Sequence, residues 1–537
     1  MLKTSSEAFP ASRKLMSDIP YVVRVEFREL SHEAHKIVGK PIACSKCNGF
    51  LLSVDQIQTD SKVGKYFNCT FCGTLNVVQG EVLVAGTETD FMVEPPPKVV
   101  SKTGPATGAG GSLLAVIDVS GSMAGANLAA VKRSLLTTVD SLAANTPDTL
   151  FGLIEFESSV VIRNLESGEG ITLPRESFAS LDAIVDSTKR LMDKIKLSNV
   201  GKKADSIKRH VSALRDQGGT ALGPAITSAS VIAKHRNVGR VILLTDGLAN
   251  EGIGALEGYQ ATPPVKYYED LGNMFREAGA AVDVVGIASG AGMELKTLGL
   301  MPEATGGQMY YVTPNELDRS ISELAGASML GRDVEVRLIT PPGVKVKDAS
   351  GVSRAVVEEL KTRAAGKIGV VGENNEIYFE VEAEKEIKAT EVPIQVQVAY
   401  TDDTGARRVR AVTRKLHVSK DEKEIVKTLD PTIGATFVTQ KAGEVAFGGD
   451  AAGGKGRITS FRAAMQKQAA AAPASAKAKF KKMDEVLATQ EADMEVREAR
   501  VQGAPAAAPS GAADQSSTEN LKQMRKSSKQ LFEDEEK

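Results

Sequence analysis

Between residues 113 and 328 the chain alternates near-continuous apolar runs with segments whose apolar residues recur every three to four positions. The runs are LLAVIDVS, LFGLIEFE, RVILLTDG and AVDVVGIAS, the pattern of strands covered by helices on both faces. Between them lie ANLAAVKRSLLTTVDSLAA, ADSIKRHVSALRDQ and VKYYEDLGNMFREAGA, which carry the helical period. This alternation predicts a doubly wound α/β domain. From 333 to 418 the period changes to two, in DVEVRLI, EIYFEVEAE, PIQVQVAY and VRAVTRKLHV, and TDDTGAR supplies a hairpin turn. An antiparallel, β-sandwich-like module with one face buried is therefore expected there.

The flanks are less regular. Residues 1–39 hold one strand-like run, YVVRVEFREL, and the first twenty are expected to be disordered or loosely attached. A cysteine-bearing unit follows at 40–78, and a Pro- then Gly-rich linker at 93–112. Residues 419–537 read as linker, amphipathic helix and disordered tail, with Phe480, Met483, Leu487 and Met494 near one seam of a helix over 475–501. That helix is either a solvated charged element or a surface for a partner helix.

Composition narrows the classes. A length of 537 residues suggests several units at ~150 residues each, and 42% hydrophobic with 25% charged residues is ordinary for globular proteins. A net charge of −2 gives no electrostatic footprint for nucleic acid. No run of about 18 apolar residues is present to span a bilayer, and the first twenty residues lack the apolar stretch of a signal peptide. A cytoplasmic protein is expected.

The chemistry concentrates at strand ends. Asp118 closes the first apolar run, with Ser120 and Ser122 on the loop above it. Thr220 follows paired glycines in DQGGTALG, and Asp246 closes the run ILLTD. Ligands of open parallel sheets bind beyond such strand ends. Two carboxylates and three hydroxyls are hard oxygen donors, the set that suits Mg²⁺ or Mn²⁺. An aspartyl-phosphate nucleophile is the rival for a strand-ending Asp, but Val119-Ser120 stands where dehalogenase-like phosphatases carry a second Asp.

In order and context, Asp118-x-Ser120-x-Ser122, Thr220 and Asp246 resemble the metal-ion-dependent adhesion site (MIDAS) of von Willebrand factor A (vWA) domains. The resemblance implies that Ser120, Ser122 and Thr220 touch the ion directly and that Asp118 and Asp246 act through water. One coordination position would remain for an acidic residue of a protein partner.

Cys44, Cys47, Cys69 and Cys72 form two CxxC pairs separated by 21 residues, each soon followed by a glycine, Gly49 or Gly73. In a reducing compartment this spacing points to metal rather than disulfide, as a closed four-thiolate structural Zn²⁺ site. CSKCNGFLL…KYFNCTFCGTLNVV resembles the zinc ribbon of the COPII inner-coat subunits, which also continue into an A-type trunk and β-structure. Those subunits are longer and generally carry a degraded adhesion site, and no gelsolin-like terminal domain is recognisable here.

GDAAGGKG (449–456) imitates a phosphate loop, but Gly456 replaces the Mg²⁺-binding hydroxyl, and a flexible linker is the better reading. His210, His235 and His417 receive no role. The residues together predict a multidomain α/β chain: zinc ribbon, vWA domain, β module, helical and disordered tail. Its expected activity is metal-dependent capture of a protein carboxylate, not catalysis. The alternatives are a COPII-like vesicle-trafficking factor and an accessory subunit of an AAA⁺ ATPase or chelatase machine.

Overall fold

The computed structural model describes residues 1–32, 34–96, 111–247, 249–256, 264–287, 295–326, 329–373, 375–447, 450–469 and 474–503. Most of the linker expected at 93–112, the terminal tail and its short amphipathic segment lie outside these residues. The chain is a mixed α/β protein of several units.

The α/β domain is built on an eight-stranded sheet. Ser112–Asp118 pairs in parallel with Leu150–Phe156 on one side and Arg240–Thr245 on the other. Ala281–Ile287 and Met309–Val312 extend the parallel part, while Val160–Arg163 and Gly170–Thr172 add antiparallel strands at the far edge. Strand pleating explains the unbroken apolar runs. Leu113, Ala115 and Ile117 face a core with helices Ala126–Asn145, Val200–Ala213 and Leu317–Gly326. Leu114 and Val116 face the opposite core, with helices Leu222–Arg236 and Pro264–Glu277. The first strand is flanked by the second and by a later one, so the chain departs in opposite directions from it. That is a topological switch point, and Asp118 stands at its carboxyl end.

The β module is a two-sheet sandwich built from both sides of the α/β domain. One sheet orders Leu2–Thr4, Val22–Glu26, Glu376–Ala383 and Val344–Ser350. The other orders Ala365–Gly372, Met329–Ile339, Glu391–Thr401, Arg407–Ser419, Glu88–Glu94 and His35–Val38, with Ala8–Pro10 beside Arg407–Ser419. Val23, Val25 and Phe379 from the first sheet and Val336, Ile394 and Val398 from the second share one core. The expectation of a loose N-terminus is thus corrected. Leu2 and Phe9 are buried, Ser5 N donates to Val22 O at 2.8 Å, and Ala11 N to Ser419 O at 2.9 Å. The module does not stop at 333–418, because the N-terminal strands complete both sheets.

The cysteine-bearing unit is a small three-stranded sheet, Gln58–Asp60, Gly64–Asn68 and Leu75–Val77. It rests on the sandwich through Phe50 N, which donates to Gln395 Oε1 at 2.9 Å, and Gln397 Nε2, which donates to Asn48 O at 2.8 Å.

Past the sandwich come helices Glu422–Lys427, Pro431–Phe447, Ala451–Ala469 and Ala474–Gly503. Most of the GDAAGGKG stretch is helical rather than a flexible linker. Tertiary packing overrides three glycines there: Ile458, Phe461 and Met465 meet Phe480, Met483 and Leu487 in one core. Arg462 binds Asp484 at 3.0 Å across the same helix pair, and Glu491 as well. The seam proposed for a partner helix is therefore occupied by the chain's own helices at Phe480, Met483 and Leu487.

Candidate functional site

The oxygen donors converge where the sheet's first strand ends. Asp118 is fully buried; its Oδ1 accepts the Ser120 N–H at 2.9 Å and its Oδ2 the Thr245 hydroxyl at 2.5 Å. Asp246, also buried, accepts the Ser122 hydroxyl at 2.7 Å and the Asn127 amide at 2.8 Å. Ser120 Oγ and Ser122 Oγ lie 3.0 Å apart. Adjacent ligands on an octahedral ion with bonds of about 2.1 Å are about 3.0 Å apart, so these hydroxyls have the spacing of neighbouring ligands. Burial pushes the Asp118 carboxyl up to about 6. The Ser120 and Thr245 hydrogen bonds act against that rise, and the charge of Asp246 adds to it. Two buried carboxylates with hydroxyl neighbours form a place where a cation lowers the electrostatic cost.

Thr220 enters on a loop that requires its glycines. Gly218 has φ +68°, and a Cβ there would stand 2.3 Å from Glu157 Oε2. A Cβ on Gly219 would stand 2.4 Å from Glu251 Oε1. The loop thus passes close between two carboxyl side chains, and at Gly218 the positive φ itself favours glycine. Gly121 N donates to Gly218 O at 3.1 Å, joining this loop to the one that holds the two serines. Gly121, Ser122, Gly218 and Asn250 are exposed at the mouth, whereas Ser120 and Thr220 are buried beneath it. The structure links four of the expected donors, Asp118, Ser120, Ser122 and Asp246, and sequence reasoning missed the groups that hold them and the Thr220 loop: Asn127, Thr245 and Asn250. Thr245 stands within the run RVILLTDG and Asn250 just beyond it, but Asn127, in the first turn of its helix, carries no local signal.

The four thiols also meet. All four Sγ atoms lie within 4.8 Å of one another, with Cys44–Cys72 at 3.6 Å and Cys47–Cys69 at 3.5 Å. Disulfide sulfurs sit at about 2.0 Å, and the edges of a tetrahedron with Zn–S bonds of about 2.3 Å are about 3.8 Å. The donor type and spacing fit one tetrahedral soft-ligand ion. Gly49 N approaches Cys47 Sγ at 3.4 Å, and Asn76 Nδ2 approaches Cys44 Sγ at 3.4 Å. Although burial opposes it, hydrogen bonds from the Cys47 and Lys46 backbone and from Asn76 bring the Cys44 thiol down to about 6. Burial pushes the Cys47 and Cys69 thiols up.

Set beside known proteins, the α/β domain carries the decisive match. Residues 113–325 match the Sec23/Sec24 trunk domain. The chain is 25% identical to circularly permutated Ras protein 1 of Dictyostelium discoideum over 466 residues, 79% of this chain and 54% of that protein. It is 23% identical to protein transport protein SEC24-2 of Naumovozyma castellii over 461 residues, 75% of this chain and 47% of that one. The chain thus spans about half the length of these curated relatives. Among solved structures, the human COPII-coat protein Sec24c superposes with a TM-score of 0.66 at 14% identity, covering 99% of this chain and 76% of that one. The shared fold therefore extends well beyond the trunk, to the sandwich, cysteine unit and helices. No helix among the described residues is long and apolar enough to cross a membrane.

Proposed function

We propose that this chain is a COPII-like protein-transport factor, a protein-binding scaffold rather than an enzyme. The observation that supports this reading most is the Sec24c fold correspondence across 99% of the chain, centred on a trunk-domain match. It favours transport over a stand-alone adaptor or a subunit of an ATPase machine, because it takes in every unit and not the α/β domain alone. The Cys44, Cys47, Cys69 and Cys72 cluster is proposed to hold one structural Zn²⁺, cross-linking the ribbon that leans on the sandwich.

A second, metal-dependent mode of capture is favoured by the complete oxygen cluster. Ser120, Ser122 and Thr220 would hold Mg²⁺ or Mn²⁺, with Asp118 and Asp246 ordering its water. Bound there, the ion supplies positive charge that neutral hydroxyls leave uncompensated and that attracts a partner's carboxylate. The chain's part is to hold three hydroxyls at a mouth of small, exposed residues, open to a protein surface.

A crosslinked pull-down with wild type and Ser120→Ala/Ser122→Ala, each with Mg²⁺ or EDTA, separates the readings. Vesicle-coat components retained by both proteins in both buffers support the transport scaffold. Loss of a discrete subset of partners in the variant and in EDTA supports metal-dependent capture in addition. Recovery of an AAA⁺ ATPase without coat components overturns the transport reading.

A further inference from the structure

Thr220 is the donor whose placement needs explanation, since it arrives on a glycine-rich loop rather than a strand end. Its backbone is held from both sides. Thr220 N donates to Asn250 Oδ1 at 2.9 Å, and the Asn250 N–H returns to Thr220 O at 3.1 Å. The Glu251 N–H reaches the same carbonyl at 3.3 Å. One residue earlier, Gly219 N donates to Ser158 Oγ at 2.7 Å, and one residue later Ala221 N donates to Glu157 O at 2.7 Å. These bonds fix the Thr220 backbone at its own N–H and carbonyl and at both neighbours, while among the described residues no hydrogen bond takes its hydroxyl, which is left available to a ligand.

From this we infer that Asn250 is a positioning residue for the ion site: its side-chain carbonyl and backbone N–H clamp Thr220 so that the hydroxyl faces the serine pair. The inference rests on the proposed metal reading of that cluster. Asn250 is itself exposed, contributes to neither domain core, and follows Asp246 by four residues in TDGLAN. One short loop therefore supplies a carboxylate from its start and the clamp for a hydroxyl from its end. Without the Asn250 side chain, Thr220 N loses its acceptor, and the flexible Gly218–Gly219 backbone is left with one restraint fewer on the direction of the hydroxyl.

The test is a double-mutant cycle on Mn²⁺ affinity, measured by calorimetry on the full chain: wild type, Asn250→Ala, Thr220→Ala and the pair. Outer-shell partners of metal ligands typically contribute 10- to 100-fold in affinity, and that loss is expected for Asn250→Ala. On a Thr220→Ala background the same change should cost less than about twofold, because Asn250 acts through the hydroxyl already removed. Asn250→Asp, which keeps an acceptor for Thr220 N–H, should restore affinity to within a few-fold of wild type. Thermal melts in EDTA check folding separately, since a residue that only supports the loop would lower the melting point and leave affinity alone. Unchanged affinity in Asn250→Ala, or a full second loss in the double variant, overturns the inference. Failure of the wild-type chain to bind Mn²⁺ overturns the metal reading first, and the inference with it.

Discussion

The α/β domain and the sandwich bury cores of similar make-up by opposite routes. In the first, every strand and helix falls between Ser112 and Gly326, so all of its pairings close within one continuous stretch of chain. In the second, Val22–Glu26 lies beside Glu376–Ala383, with Arg24 binding a glutamate 352 residues away, and Arg407–Ser419 lies beside Glu88–Glu94. The α/β domain is inserted into the sandwich, between Glu88–Glu94 and Met329–Ile339. Contiguity makes a unit readable and autonomous; assembly from distant segments makes it neither.

If the two units are energetically separate, core deletions in each should act locally. Phe379→Ala removes a fully buried ring from the sandwich core and should cost about 3–5 kcal/mol. Phe156→Ala should do the same in the α/β core. Calorimetry should show each variant lowering a different transition. A single transition lowered equally by both would erase the distinction.

A charge test of the α/β domain comes next. Asp283 is fully buried and is held by Arg240 at 2.8 Å and by the Gln308 N–H at 2.7 Å. Burial raises its carboxyl above the ordinary 3.8 even with the guanidinium beside it. Arg240→Met leaves the carboxylate unpaired and should destabilise the domain at pH 7 by about 3 kcal/mol. A carboxyl with a raised folded pKa binds its proton more readily folded than unfolded. Stability should therefore recover as the pH falls from neutrality toward 4, and more steeply in the variant than in wild type. Denaturant melts across that range provide the check, and a pH-independent penalty would contradict the account.

The ribbon tests the sandwich side more gently. Cys69→Ser should reduce bound zinc from about one per chain to none, and chelation should raise amide exchange over 40–78, since metal binding and local folding are coupled at such sites. Protection around Asp118 should persist, because the ribbon leans on the sandwich. Full zinc retention would remove the proposed site. The smallest effect is expected from Asp118→Asn in EDTA. It relieves two buried carboxylates of one charge while keeping the Ser120 and Thr245 hydrogen bonds within reach. Melting should stay level or rise by a few degrees, with Mn²⁺ binding lost in calorimetry.

What could be read in advance follows the same division. Asp118, Ser120, Ser122 and Asp246 were legible because a strand end puts donors at a fixed place, and buried parallel strands announce themselves as apolar runs. Thr220 was singled out through its glycines. Asn127 was not, because its bond to Asp246 joins residues 119 apart and leaves no periodic trace. Leu2–Thr4 and Ala8–Pro10 are three residues each, too short for a period of two to register, and Ala8–Pro10 finds its partner only at His417, Val418 and Ser419. Ala451–Ala469 failed for another reason. Gly453, Gly454 and Gly456 argue against a helix locally, and only the contact of Phe461 and Met465 with the next helix decides otherwise.

Insertion of one domain within another also sets a timetable. On a ribosome adding about 5–20 residues per second, the Val22–Glu26 strand waits roughly 20 to 70 s for Glu376–Ala383 to emerge. During that interval the whole α/β domain can be synthesised and close on itself, bringing its two ends back toward the unfinished sheet. Until then Val22, Val23 and Val25, all fully buried in the finished protein, face water on a nascent chain with unpaired edges. The first hundred residues are therefore the stretch that a chaperone has most reason to hold, and the emergence of Glu376–Ala383 is the event that ends the wait.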